Sequence, residues 1–293
     1  MQFSDISPTM KAGHTLAVAD RILINPEPGK LAEKTKALLT AIAHSNCALP
    51  LIGQTTIRLG MNFAGRDAEI VGYSTGEVES AFKQVIQFIA QMDLSLKNAM
   101  VQTVSDVLAD MKSVNRSDSL PGLMAERIEG HLEPAEPASS FLCLFKGQIR
   151  TGVYWRMIGE GYAKFGNDYA RGLEYLRHIG FCQVSTNPVL AAKAFDEDPG
   201  LTDELKEEVI KHEDWIEHPD AHADAMALAA TLIALWPNLA VFRPLALHTG
   251  LKDFMVSFQL NPNIADDAEL SIADAKQAYQ LAAKYLKRYD EWL

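Results

Sequence analysis

The sequence predicts an α/β chain in two parts: a mostly α-helical N-terminal region over 1–138, then a run of β-strand and helix units over 139–293. Three observations carry this. Apolar residues recur at helical spacing through 30–44 and 75–111. A segment over 131–140 holds Pro134, Pro137 and small polar residues, the composition of a linker. Beyond it, short apolar runs alternate with helical stretches, which is the pattern of βα units feeding a parallel sheet.

Residues 1–30 read as an irregular lead-in broken by Pro8, Pro26 and Pro28. Leu31, Leu38, Leu39 and Ile42 give the first helix its apolar side. Residues 55–63 and 69–73 alternate well enough for two strands, with Ala64-Gly65-Arg66-Asp67 as the turn of a small hairpin. Val85, Ile86, Phe88, Ile89, Met92 and Leu94 line a helical stretch expected to break near Asp93, and 113–121 is polar loop.

In the second part, 141–146 closes an apolar strand-like run on Lys146. Residues 162–166, 181–185 and 254–260 are expected strands. Helices are expected over 168–177, 189–195, 202–212, 221–235 and 273–286.

Composition narrows the function classes. Hydrophobic residues at 48% supply a core, and a net charge of −11 without a basic run argues against nucleic acid and anionic membranes as partners. Cys47, Cys143 and Cys182 are too few and too separated for a disulfide framework or a cysteine zinc site. The opening Met1-Gln2-Phe3-Ser4-Asp5 lacks the pattern of a signal peptide, and the longest apolar run, 225–236, is shorter than the ~20 residues of a membrane span. A cytoplasmic location is expected. His218 and His222 have the spacing to share a helix face, but no third ligand accompanies them, so no metal is expected.

The chemistry-bearing residues gather at two strand ends. Ser185-Thr186-Asn187-Pro188 ends one strand, and Gln259, Asn261 and Asn263 end the next. Parallel α/β sheets hold their sites at such carboxyl ends. A turn formed by Asn and Pro accounts for the first stretch alone; the second polar strand end favours a site. Asp168 is the acid nearest the end of the first strand, and either serves that site or caps the helix after it.

The stretch Gly180-Phe181-Cys182-Gln183-Val184-Ser185-Thr186-Asn187-Pro188 resembles the second barrel strand of the transaldolase family, and Val256-Ser257-Phe258-Gln259-Leu260-Asn261 resembles the third. The similarity runs over about 160–293. It implies the opening portion of a (β/α) TIM-type barrel and class I aldol chemistry, transfer of a dihydroxyacetone unit between sugar phosphates through a Schiff base, in carbohydrate metabolism of the pentose phosphate type. It implies no cofactor and no metal, a sugar-phosphate substrate, and compatibility with a homo-oligomer.

Residue by residue, the resemblance implies Asp168 as general acid/base, Asn187 holding the imine or enamine hydroxyl, and Gln259 positioning a water. Ser185, Thr186 and Asn261 would line the substrate. Gln259 stands where the family has Glu; an amide orients water but takes no proton. That departure keeps a fructose-6-phosphate aldolase-like lyase open as an alternative.

The Schiff-base lysine is the larger departure. The family's next strand should carry it, and the chain ends 34 residues after Gln259 without such a strand. Lys276, Lys284 and Lys287 fall on a helix, and Lys146 fits only a permuted order. The expectation is therefore an incomplete transaldolase-like protein, inactive as an isolated chain. The rival from another class is a non-catalytic interaction or scaffold module.

Overall fold

The computed structural model describes residues 3, 5–114 and 118–290. The opening residues read for a signal peptide and the polar loop over 113–121 lie partly outside them.

Among the described residues, ten helices build the first part of the chain. They are α1 (Ser7–Lys11), α2 (Thr15–Asp20), α3 (Leu31–Ala43), α4 (Leu49–Ala64), α5 (Asp67–Ile70), α6 (Thr75–Ser95), α7 (Lys97–Ser113), α8 (Leu120–Glu129), α9 (Pro137–Thr151) and α10 (Val153–Gly159). The lead-in expected to be irregular thus holds α1 and α2. Helix α3 matches its expected span closely, and the break in the long helical stretch falls at Leu96. A capping box fixes the start of α6: the Ser74 side chain accepts from the Glu77 backbone N–H, and Glu77 reaches back to the Ser74 N–H.

The expected hairpin is absent. Residues 55–63 belong to α4, and 69–73 fall in α5 and the turn after it. Helix α4 is the central element, packed against α2, α3, α6, α7 and α9. Gln54, Arg58 and Asn62 fall one turn apart on one side of α4, a helical period that the alternation of apolar residues over 55–63 masks. Thr55 and Thr56 lie buried there because their hydroxyls donate to the carbonyls of Leu51 and Ile52, one turn back.

The run 141–146 is helix as well, not strand. Phe141, Leu142, Phe145 and Ile149 form the buried side of α9 and join the same core as α4 and α6. That core continues across residue 138. The proline-containing stretch before α9 is tied down by Asp93, whose carboxylate accepts from the backbone N–H groups of Ala138 (3.1 Å) and Ser139 (2.9 Å) and from the Ser139 hydroxyl (2.8 Å). A buried carboxylate thus satisfies the free donors at the start of α9.

Among the described residues the second part holds three strands, β1 (Gly166–Asn167), β2 (Gln183–Ser185) and β3 (Met255–Ser257), in one parallel sheet of order β1-β2-β3. Between β1 and β2 lie α11 (Leu173–Leu176) and a 3-10 turn, Arg177–Ile179. Between β2 and β3 lie α12 (Pro188–Glu197), α13 (Pro199–Ile210), α14 (Glu213–Glu217) and α15 (Ala223–Ala246), and α16 (Ala268–Asp290) follows β3.

The TIM-type barrel is overturned by this sheet. Three strands of two or three residues leave β1 and β3 as edges, whereas barrel closure takes about eight strands. Among the described residues the remaining apolar runs of this half are helical. One is α15, whose apolar span extends past the 225–236 run and through Pro237. The stretch Pro219–Ala246 is long and apolar enough to cross a membrane, but 61% of its most apolar window is buried inside the molecule.

One face of the sheet is covered and the other is open. Val184 is fully buried, and α15 packs on β3 with Phe242 edge-on to Phe254 at 5.4 Å. Gln183, Met255 and Ser257, which alternate to the other face, are exposed.

The two parts are joined by a buried ionic network. The Arg177 guanidinium pairs with Asp20 (2.5 and 2.8 Å) and Asp67 (3.0 Å), and donates to the side chain of Asn62 and the carbonyl of Val241 (both 2.7 Å). Asp67 also meets His178 Nδ1 at 2.7 Å. Burial opposes ionisation of Asp67, but His178 and Arg177 outweigh it and hold the carboxyl below its ordinary range.

Candidate functional site

The parallel register places the expected first-strand and second-strand ends side by side. Asn167 pairs with Val184 and Ser185 with Ser257, so Asp168, Ser185 and Ser257 fall in one row at the carboxyl edge of the sheet. The Ser185 hydroxyl donates to Asp168 Oδ1 at 3.1 Å. Asp168 is exposed and Ser185 half-buried, so this pair faces solvent on the open side. Helix α11 starts only at Leu173, leaving Asp168 outside its cap.

The other expected site residues are used differently. Asn187 is extended and its side chain accepts from the Leu190 N–H at 3.0 Å, which makes it the N-cap of α12. Thr186 is buried beside it, its hydroxyl donating to the Asn187 carbonyl at 3.5 Å. Gln259 is exposed two residues beyond β3. Asn261 bridges helices: its amide donates to Asp224 Oδ2 at 2.9 Å, its backbone N–H to Asp274 Oδ2 at 3.1 Å, and its Oδ1 accepts from the Asn263 N–H. The structure therefore brings together Asp168 and Ser185, and gives Asn187 and Asn261 structural bonds of their own.

Two lysines bear on Schiff-base chemistry. Lys146 sits on α9, paired with Glu79 at 2.7 Å and placed 4.1 Å above the Phe82 ring. Lys164 bonds Asp253 at 2.5 Å, at the amino ends of β1 and β3, opposite to the Asp168 edge. Lys276, Lys284 and Lys287 are exposed on α16. His218 and His222 flank a 3-10 turn, Pro219–His222, and do not share an α-helix face.

A second cluster went unseen in the sequence. A cleft of about 450 Å³ opens where α4, α7, the loop after β1, α13 and α15 meet. Arg58 pairs with Glu174 at 2.9 Å, the Tyr175 hydroxyl donates to Asp110, and Arg171 joins Glu197 at 3.2 Å and Asp110 at 3.8 Å.

Burial, and then the charge of Glu174, push the Asp110 carboxyl up. Burial also opposes ionisation of Glu174, but Arg58 outweighs it and holds Glu174 below its ordinary range. The two carboxyls are thereby pushed apart, Asp110 towards its protonated form and Glu174 towards its ionised form. Burial raises the Tyr175 phenol well above its usual range, which keeps it a donor.

Comparison with protein-family models, curated proteins and solved structures found no match.

Proposed function

We propose that this chain is a transaldolase-like protein of carbohydrate metabolism that handles a ketose phosphate at the open carboxyl edge of its sheet. The observation that supports this best is the row Asp168, Ser185 and Ser257, with Ser185 bonded to Asp168 and the Ser-Thr-Asn-Pro turn leading into α12.

In this proposal the Asp168 carboxylate accepts a hydrogen bond from a substrate hydroxyl; cleaving the carbon–carbon bond requires an imine as electron sink, which this chain does not supply, so the isolated chain binds without turnover. Ser185 holds the Asp168 carboxylate in place, as its 3.1 Å bond does in the free protein. Gln259 orients a water without accepting its proton. Lys146 is engaged with Glu79, and Lys164 lies at the other end of the sheet. The chain thus supplies hydroxyl recognition, and neither lysine forms the imine. The cytoplasm is the location that fits this role.

The test is calorimetric titration with fructose 6-phosphate, paired with borohydride trapping read by intact mass. The expected result is saturable binding, weakened in Asp168→Asn and Gln259→Ala, with no reduced adduct. Absence of binding by the folded chain would favour a non-catalytic interaction module. A stoichiometric adduct on one lysine would overturn the assignment of Lys146 and Lys164 to structural roles.

A further inference from the structure

The cleft beside α7 has the composition of a ligand site and is not needed for the function proposed above. Its volume, about 450 Å³, lies within the ~300–1,000 Å³ range of small-molecule pockets. Its walls come from both parts of the chain: Gln54 and Arg58 from α4, Asp106 and Asp110 from α7, and Arg171 and Glu174 from the segment after β1.

The bonds already made decide what could enter. Both guanidinium groups are committed to carboxylates, Arg58 to Glu174 and Arg171 to Glu197 and Asp110. A phosphate would have to strip a carboxylate from one of them and would face Asp106 and Glu174 as well. A metal ion is equally poorly served, because no group of three or more His, Cys, Asp or Glu able to hold one exists among the described residues.

Hydrogen-bonding capacity remains at the mouth and floor. Asp106 is exposed, with one oxygen accepting from Gln102 at 2.8 Å. Asp110 accepts from Tyr175 through Oδ2 and lies 3.8 Å from Arg171 through Oδ1. Gln54 offers an amide with both donors and an acceptor. An amide and two carboxyl groups therefore line a space with apolar walls at Leu201 and Val241. A hydroxyl both donates and accepts, so neighbouring hydroxyls on a short carbon chain satisfy such a surface where an ion does not.

We propose that this cleft binds a small uncharged polyol, held by Gln54, Asp106 and Asp110. The proposal stands on the cleft alone and does not rest on the strand-end site.

The experiment is a titration of the full chain with ribitol, followed by amide NMR, with ribose 5-phosphate as the charged comparator. Saturable shifts are expected over 106–110 and 170–175, with much weaker response to ribose 5-phosphate. Asp106→Ala, at an exposed position, should keep the native spectrum and weaken ribitol binding at least about tenfold, the loss of a hydrogen bond to a charged group. Gln54→Ala should weaken it as well. The proposal is overturned if the folded wild-type chain shows no saturable response to ribitol. It is also overturned if Asp106→Ala binds unchanged, or if the phosphorylated sugar occupies the cleft as tightly.

Discussion

Arg177 and Asp20, 157 positions apart in sequence, form a two-pronged ion pair in the dry interior, at 2.5 and 2.8 Å with both side chains fully buried. The pair ties the segment between β1 and β2 to the second helix of the chain. Such a pair gains little over an apolar replacement, but removing one partner strands a charge. Asp20→Ala should therefore cost about 3–5 kcal/mol, read as a drop in urea midpoint. Double replacement of Asp20 and Arg177 should cost less than the sum of the two single changes. An additive double mutant would show that the two groups are not energetically paired.

Asp110 and Glu174 make stability depend on pH in opposite directions. For Asp110 the folded value lies above the ordinary 3.8, so the unfolded chain releases its proton first as pH rises. The folded state then binds more protons, and stability falls as pH climbs from about 3.8 through the raised value. Asp110→Asn removes this loss while Oδ1 of the amide still accepts from Tyr175. The variant should gain on the wild type as pH rises across that window. Glu174 runs the other way, contributing stability above its ordinary 4.5 that is lost as pH falls through its lowered value. Denaturant melts from pH 3 to 8 check both signs. A variant-minus-wild-type difference that does not change with pH would show that Asp110 titrates normally.

Asn187 separates a helix cap from a ligand contact. Its side-chain oxygen accepts from Leu190 N–H at the start of α12. Asn187→Ala should cost about 1 kcal/mol, while Asn187→Ser keeps an accepting oxygen and should cost much less. Thermal melts of the two variants decide this. If fructose 6-phosphate binding also follows cap quality, with Asn187→Ser retaining it, Asn187 acts by placing α12. If Asn187→Ser keeps the stability but loses the ligand, the amide itself touches it.

The places of the short strands were legible because punctuation surrounds them. Gly180, at φ +109°, ends the 3-10 turn before β2, and Pro188 begins α12, so the strand between them stands out in the sequence. The strand-end row was legible for the same reason, since adjacent parallel strands bring Asp168 beside Ser185. The hairpin expectation failed on α4, where Thr55, Ile57, Leu59, Met61 and Phe63 satisfy a two-residue period while Thr56, Gly60 and Asn62 between them are also buried in a central helix. Phe141–Phe145 misled in the same way on α9. Nothing local could expose the cleft, because Arg58 meets Glu174 across 116 positions and Asp110 meets Tyr175 across 65.

Helices α4 and α9 approach so closely at Gly60 that a side chain has no room there. A Cβ at that position would stand 2.5 and 2.9 Å from the two terminal methyl carbons of Leu142, which is fully buried. Overpacking of this kind costs about 1–3 kcal/mol, and the better helix propensity of alanine returns at most about 1 kcal/mol. Gly60→Ala should thus destabilise the protein modestly. Leu142→Ala alone should cost about 2–5 kcal/mol through the cavity it leaves. In the double variant the new methyl fills part of that cavity and no longer meets the leucine. The pair should therefore be more stable than the sum of the single changes predicts, by an amount read from urea midpoints in a double-mutant cycle. Simple additivity would place α4 and α9 further apart than the Gly60–Leu142 contact requires.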